Sequence, residues 1–150
     1  MKDKLRLSSY TRDLVSAFNN QGTPIDFLEV GNEINDGLLW PTGRISVNGF
    51  KPASELLHSA IQGARVSSSS LKTIIHIANG WDSSGVQYFF NGIFTPGALS
   101  TNDVNVFAFS FYPFYGVNAT FDNLSSSLKS ITSKYGKVCE GRKLFSLFIV

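Results

Sequence analysis

The sequence predicts an α/β domain whose sheet is parallel and covered by helices. Three observations carry this. Helix-like and strand-like segments alternate in the order α-β-α-β-α-β-α. The strand candidates are near-continuous apolar runs, the pattern of strands buried on both faces. The length, 150 residues with 43% hydrophobic and 16% charged residues, suits one domain able to bury a core.

The first helix is read from Leu7, Thr11, Leu14 and Phe18, with Val15 widening the apolar face. Gly22 followed by Pro24 ends it. Residues 25–30 form a strand candidate that runs into Gly31-Asn32-Glu33. The turn-rich stretch 35–50, with Gly37, Pro41, Gly43 and Gly49, reads as a long loop. Long loops on a compact scaffold are often functional. Pro52 suits a first helical turn, and Ala53, Leu56, Leu57, Ala60, Ile61 and Ala64 form the apolar stripe of a second helix.

The serine run 67–70 is a loop, and the β-branched segment 72–78 is a buried strand broken by Asn79-Gly80. Val86, Phe89 and Phe90 mark a short helix, and residues 104–112 a third apolar strand closed by Pro113. Phe121, Leu124, Leu128 and Ile131 mark a last helix that ends near Gly136. From Val138 the character changes. The apolar end 144–150 reads either as a fourth strand or as a non-native terminus.

Composition narrows the function. A net charge of +2, with 13 Lys+Arg against 11 Asp+Glu and no basic stripe, offers nucleic acid no footprint. The single cysteine, Cys139, excludes an internal disulfide framework and a cysteine zinc cluster. Two distant histidines and no carboxylate cluster fail metal-ligand spacing, so neither metal nor cofactor is expected. No apolar run reaches the roughly 20 residues of a membrane helix. Met1-Lys2-Asp3-Lys4 leads into no signal-peptide apolar core. A nucleotide-binding domain would need a glycine-rich loop after a strand, and Gly31-Asn32-Glu33 is followed by none.

In parallel α/β sheets function gathers at the C-terminal strand ends. Here those ends carry Asn32-Glu33, then residues 76–79 leading into Trp81-Asp82, then Ser110-Phe111-Tyr112-Pro113-Phe114-Tyr115-Gly116. A carboxylate beside an amide, facing Trp and Tyr, suits glycoside chemistry: a glutamic acid protonates the leaving oxygen and an amide holds a sugar hydroxyl. The plainer readings are a rim salt bridge for Glu33, a turn role for Asn32, a core histidine for His76, core aromatics for Trp81 and Tyr112, a helix cap for Asp82 and a surface place for His58.

The string Val30-Gly31-Asn32-Glu33-Ile34-Asn35-Asp36-Gly37-Leu38-Leu39-Trp40-Pro41-Thr42-Gly43 closely resembles the signature of glycoside hydrolase family 53, the arabinogalactan endo-β-1,4-galactanases. Residues 10–21 and 57–65, His76-Ile77-Ala78-Asn79-Gly80-Trp81-Asp82, and Ala108-Phe109 through Gly116 also look like that family, so the likeness runs from about residue 4 to 137. The resemblance implies a retaining hydrolase of β-1,4-galactan or arabinogalactan, acting without cofactor, secreted, and monomeric. It also implies that this chain is about the middle half of a (β/α)8 TIM barrel with parallel strands. Residues 1–137 would be the partial catalytic barrel, strands four to six with their helices, and 138–150 a divergent tail.

By the same resemblance Glu33 matches the acid/base and Asn32 the amide that holds the sugar 2-hydroxyl. His76 and Tyr112 would lie at strand ends near the cleaved bond, Trp81 and Asp82 would help form the cleft, and Trp40 sits on the long loop. The family's nucleophile is a glutamate ending strand seven, in a Glu-Thr-x-Trp-Pro-like string that the tail lacks; Glu140 comes too early to take that role. Met1 resembles an internal position of the family, and the tail a misassigned exon end. The chain alone is therefore expected to be inactive, with a non-catalytic galactan-binding remnant as the alternative. As an open half-barrel it is also expected to expose two sheet edges and the inward face of its strands. Asn118-Ala119-Thr120 and Asn123-Leu124-Ser125 are glycosylation sequons that fit a secreted parent.

Overall fold

A computed structural model describes residues 2–114 and 116–142, with backbone alone for 138–142. Tyr115 and the apolar end 143–150 lie outside the described residues. Helix α1 (Lys2–Asn20) leads into strand β1 (Phe27–Glu29). The stretch read as loop holds a small antiparallel pair, β2 (Gly37–Leu38) with β3 (Gly43–Arg44), and a short helix α2 (Ile45–Asn48). Helix α3 (Phe50–Ser67), strand β4 (Lys72–Ile77), helix α4 (Ser83–Phe94), strand β5 (Val106–Ser110), helix α5 (Phe121–Tyr135) and strand β6 (Val138–Arg142) complete the order.

The four longer strands pair in the order β1-β4-β5-β6, and every pairing is parallel. The first strand is shorter than the apolar run 25–30 implied, because Val30 already leaves the ladder, though its N–H still bonds Ile74 O at 3.0 Å. Residues 138–142 form a fourth parallel strand, and the apolar end 144–150, to which the two readings of the tail apply, lies outside the described residues.

Period-2 alternation sorts the strand residues. Ile75, Ile77, Phe107 and Phe109 join the helices in one continuous core with Val15, Leu57, Ile61, Phe90, Ile93 and Ile131. Its centre is aromatic. Phe90 stacks on Phe107 with centroids 4.0 Å apart, and Phe94, Phe109 and Tyr135 surround the pair. The opposite face carries a second cluster of Ile74, Val106 and Ala108. The expectation that this inward face lies exposed is wrong: Ile74, Val106 and Ala108 keep at most 6% of their surface.

Helix α1 packs on α3 at close range. A Cβ on Gly63 would fall 2.1 Å from Ser8 O, and Thr11 Oγ1 donates to Ala60 O at 2.8 Å. At the N-terminal side of β5, Asp103 closes a capping box with Ser100 and accepts from Arg65 Nη1 at 3.0 Å and Gln62 Nε2 at 3.2 Å. His58 Nδ1 lies 3.3 Å from the same carboxylate, so this surface histidine is a structural partner. Thr120 caps α5, and Gly136 ends it in the left-handed region at φ 63°.

Truncating the aromatic centre tests the core. Phe90→Ala removes a fully buried ring and should cost about 3–5 kcal/mol, read as a lowered urea midpoint by circular dichroism.

Candidate active site

The parallel register brings a line of side chains to the C-terminal ends of the strands. Glu29 is the last residue of β1, His76 sits next to last in β4, and Ser110 ends β5. Glu29 pairs with Ile74 and His76 with Ala108, so Glu29, His76 and Ser110 emerge on one face. His76 Nδ1 lies 2.8 Å from Glu29 Oε1, and its Nε2 lies 2.9 Å from Ser110 Oγ. Ser110 Oγ in turn lies 2.5 Å from Glu33 Oε1. The line runs from a buried carboxylate to an exposed one: the Glu29 side chain is 9% accessible, that of His76 10%, and Glu33 faces solvent.

Glu33 is not on the strand itself. It sits in the following turn at φ 50°, in the left-handed region. A side chain rarely adopts that backbone, at a cost on the order of 1–3 kcal/mol, and such residues cluster at functional sites. The surroundings over-determine the turn. Ile34 N–H bonds His76 O at 3.1 Å, and the Asn35 amide takes the Ala78 N–H at 2.7 Å while donating to Ala78 O at 3.1 Å. These bonds continue the β1–β4 ladder with a side chain standing in for backbone.

The hairpin beyond it is held by Asp36. Its carboxylate accepts from Ser46 N–H, from Ser46 Oγ at 2.8 Å and from Arg44 Nε at 3.0 Å. The Ser46 N–H, helped by the Ser46 hydroxyl and Arg44, holds this carboxyl below the usual aspartate range against the opposing effect of desolvation. The Arg44 guanidinium lies 4.1 Å over the Trp40 ring, and the indole N–H donates to Asp36 O at 3.1 Å.

The remaining candidates are not members of the line. Asn32 is exposed beside Glu33 and borders a cavity of about 850 Å³. That cavity lies between α1, the free edge of β1 and the hairpin, lined by Tyr10, Leu28, Val30, Ile34, Leu38 and Trp40; Glu33 and His76 lie outside it. Asp82 is engaged as the N-cap of α4, accepting from Gly85 N–H at 3.1 Å, which is its plainer reading. Trp81 is half-buried, and Tyr112 is 41% exposed with its ring 5.7 Å from that of Phe114. In β6, Glu140 pairs with Ala108 while Arg142 pairs with Ser110, so the backbone sets Glu140 below the rim row.

Two members of the line carry no role in the sequence reading. Glu29 stands inside an apolar run and Ser110 ends one. Their signal is polarity at inward strand positions, which becomes legible once the register is known. Among the described residues no group of three or more His, Cys, Asp or Glu could hold a metal, and no helix is long and apolar enough to cross a membrane.

A family model described as Glycosyl hydrolase family 53 matches residues 1–140. The chain belongs to glycosyl hydrolase family 53. Among its relatives, a probable arabinogalactan endo-β-1,4-galactanase A of Neosartorya fischeri is 38% identical over 132 residues, which are 86% of this chain and 36% of that protein. The arabinogalactan endo-β-1,4-galactanase of Humicola insolens is 35% identical over 134 residues, 88% of this chain and 40% of that one. A solved structure of fungal β-1,4-galactanases superposes with a TM-score of 0.83 at 35% identity, covering 91% of this chain and 41% of that chain. The chain thus spans somewhat over a third of the length of the relatives it matches. The four parallel strands and their helices are part of the family-53 (β/α)8 barrel.

The hairpin that presents Trp40 should be acid-sensitive. A carboxyl with a lowered value contributes stability above the ordinary aspartate range and loses it as pH falls through the lowered value. In a Trp81→Phe background, Trp40 fluorescence should show an acid transition below the usual aspartate range. Asp36→Asn should abolish that transition.

Proposed function

We propose that the chain is the acid/base-bearing part of an arabinogalactan endo-β-1,4-galactanase that cleaves β-1,4-galactosidic bonds with retention. The single observation that carries this is Glu33: an exposed carboxylate on a strained turn, fixed from behind by Ser110 and His76. Family membership and the printed activities of the relatives support it. In this reading Glu33 protonates the departing galactose oxygen and then, as a carboxylate, takes a proton from the incoming water. Asn32, its exposed neighbour, holds the 2-hydroxyl of the bound sugar. Trp81, Tyr112 and Asp82 border the cleft, and Trp40, held flat beneath Arg44, offers a stacking face. The parent enzyme acts outside the cell.

Retention needs a second carboxyl about 5 Å away. Among the described residues Glu29 is the other carboxylate of the line, and it is turned inward onto His76. The 150-residue chain by itself is therefore expected to bind galactan without cutting it.

Two measurements test the reading. Affinity electrophoresis should show the chain retarded by β-1,4-galactan, equally for Glu33→Gln, with no reducing ends released by either. Residues 1–137 grafted into the matching part of the Humicola insolens relative should hydrolyse galactan. In that graft Glu33→Gln should lower kcat/KM by about 10²–10⁴-fold on galactan and far less on an aryl galactoside whose leaving group needs no proton. Equal losses on both substrates would refute the acid/base role.

A further inference from the structure

We propose that Glu29, His76 and Ser110 form a proton relay behind Glu33, in which the acid form of Glu33 and the neutral Nδ1–H form of His76 are two ends of one state. The relay deepens the acid/base reading and rests on it for its purpose, though not for its proton count.

Hydrogen bonding along the line is constrained by donor supply. A serine hydroxyl has a single hydrogen to give, a carboxylate has none, and an imidazole has one when neutral and two when charged. Glu29 is buried, and its partner among the described residues is His76 Nδ1 at 2.8 Å. The relay takes Glu29 as its ionised end, so in this contact Nδ1 is the donor and carries a proton. Counting along the remaining contacts, at 2.9 Å and 2.5 Å, leaves two complete arrangements. In one, Glu33 is a carboxylate that accepts from Ser110 Oγ–H, and Ser110 Oγ accepts from Nε2–H of a charged imidazolium. In the other, Glu33 is protonated and donates to Ser110 Oγ, whose hydrogen goes to Nε2 of a neutral imidazole.

The two arrangements hold the same number of protons. They interconvert when the Nε2–H bond breaks as an Oγ–H bond forms, while the original Oγ–H bond breaks as an Oε1–H bond forms on Glu33. Nothing enters or leaves. Neither arrangement survives loss of the Glu33 proton to a departing oxygen. Ser110 then has one hydrogen for two acceptors, and one link is left unmade. Ser110 then keeps its hydrogen for the buried Nε2 and the unmade link falls at the exposed Glu33 carboxylate, where the proton that the incoming water supplies in the second half of a retaining cycle restores it. Glu29 acts as a positioning residue here: it keeps the Nδ1 proton in place so that Nε2 remains the end that gains and loses one.

The test reads nitrogen-15 resonances of His76 in the full chain. With two histidines in the sequence, His58→Gln assigns them. At neutral pH Nδ1 should be protonated. Glu33→Gln, which can donate to Ser110 but cannot exchange a proton, should shift Nε2 most of the way to the resonance of a bare ring nitrogen. Glu29→Gln should move the proton from Nδ1 to Nε2. In a Ser110→Ala background, Glu33→Gln should leave His76 unchanged. If that variant does not fold, Ser110→Cys serves the same end through its weak thiol donor, and Ser110→Thr should restore the coupling. A His76 spectrum indifferent to Glu33→Gln, or equally responsive without the Ser110 hydroxyl, would overturn the relay. These readouts use no turnover. A coupled His76 in a graft that leaves galactan uncut would sink the galactanase reading alone, and an uncoupled His76 in an active graft would sink the relay alone.

Discussion

Register between three parallel strands is the constraint on which the rim depends. Side chains alternate faces along a strand, so a slip of one residue turns every inward group outward. With Glu29 opposite Ile74, Ile74 opposite Val106 and His76 opposite Ala108, Glu29, His76 and Ser110 stand on the inward face and within hydrogen-bond reach. Shifted by one, the same residues would meet the phenylalanine core. The core enforces the choice: Ile75, Ile77, Phe107 and Phe109 occupy the helix-facing positions, and exchanging them for His76 and Ser110 would put polar groups into an apolar layer.

Above that ladder the chain accepts strain to place one carboxylate. Glu33 adopts a left-handed backbone, and the turn holds because Ile34 N–H and the Asn35 side chain fasten it to the ends of β4. Asp36 then fastens the hairpin that carries Trp40. Rigid strands thus set the position of Glu33, and a chain of short polar contacts sets its orientation. This is the arrangement a proton donor needs, since proton transfer depends steeply on distance.

Half of the line of side chains, Glu33 and His76, was legible in the residues themselves. Glu33 and Asn32 stand out through their motif, and His76 through its place near the end of an apolar strand. Asp82 fits its plain role as a cap. Glu29 was hidden inside a strand run and Ser110 inside a rim string, because a lone glutamate or serine carries no local pattern. The small hairpin in the stretch 35–50 was hidden too. Its two-residue strands are too short for periodicity, and what holds it together is the side chain of Asp36 rather than an apolar face.

Sequence by itself determined the alternation of helices and strands, the parallel sheet, the apolar stripe of α3 and the family signature around Glu33, since each depends on neighbours close along the chain. Tertiary structure alone decided that Ile74, Val106 and Ala108 on the inward face are buried, that β1 is cut short, and that Glu29 reaches Glu33 through His76 and Ser110. Those outcomes join residues separated by dozens of positions, and only strand pairing brings them within a few ångströms of one another.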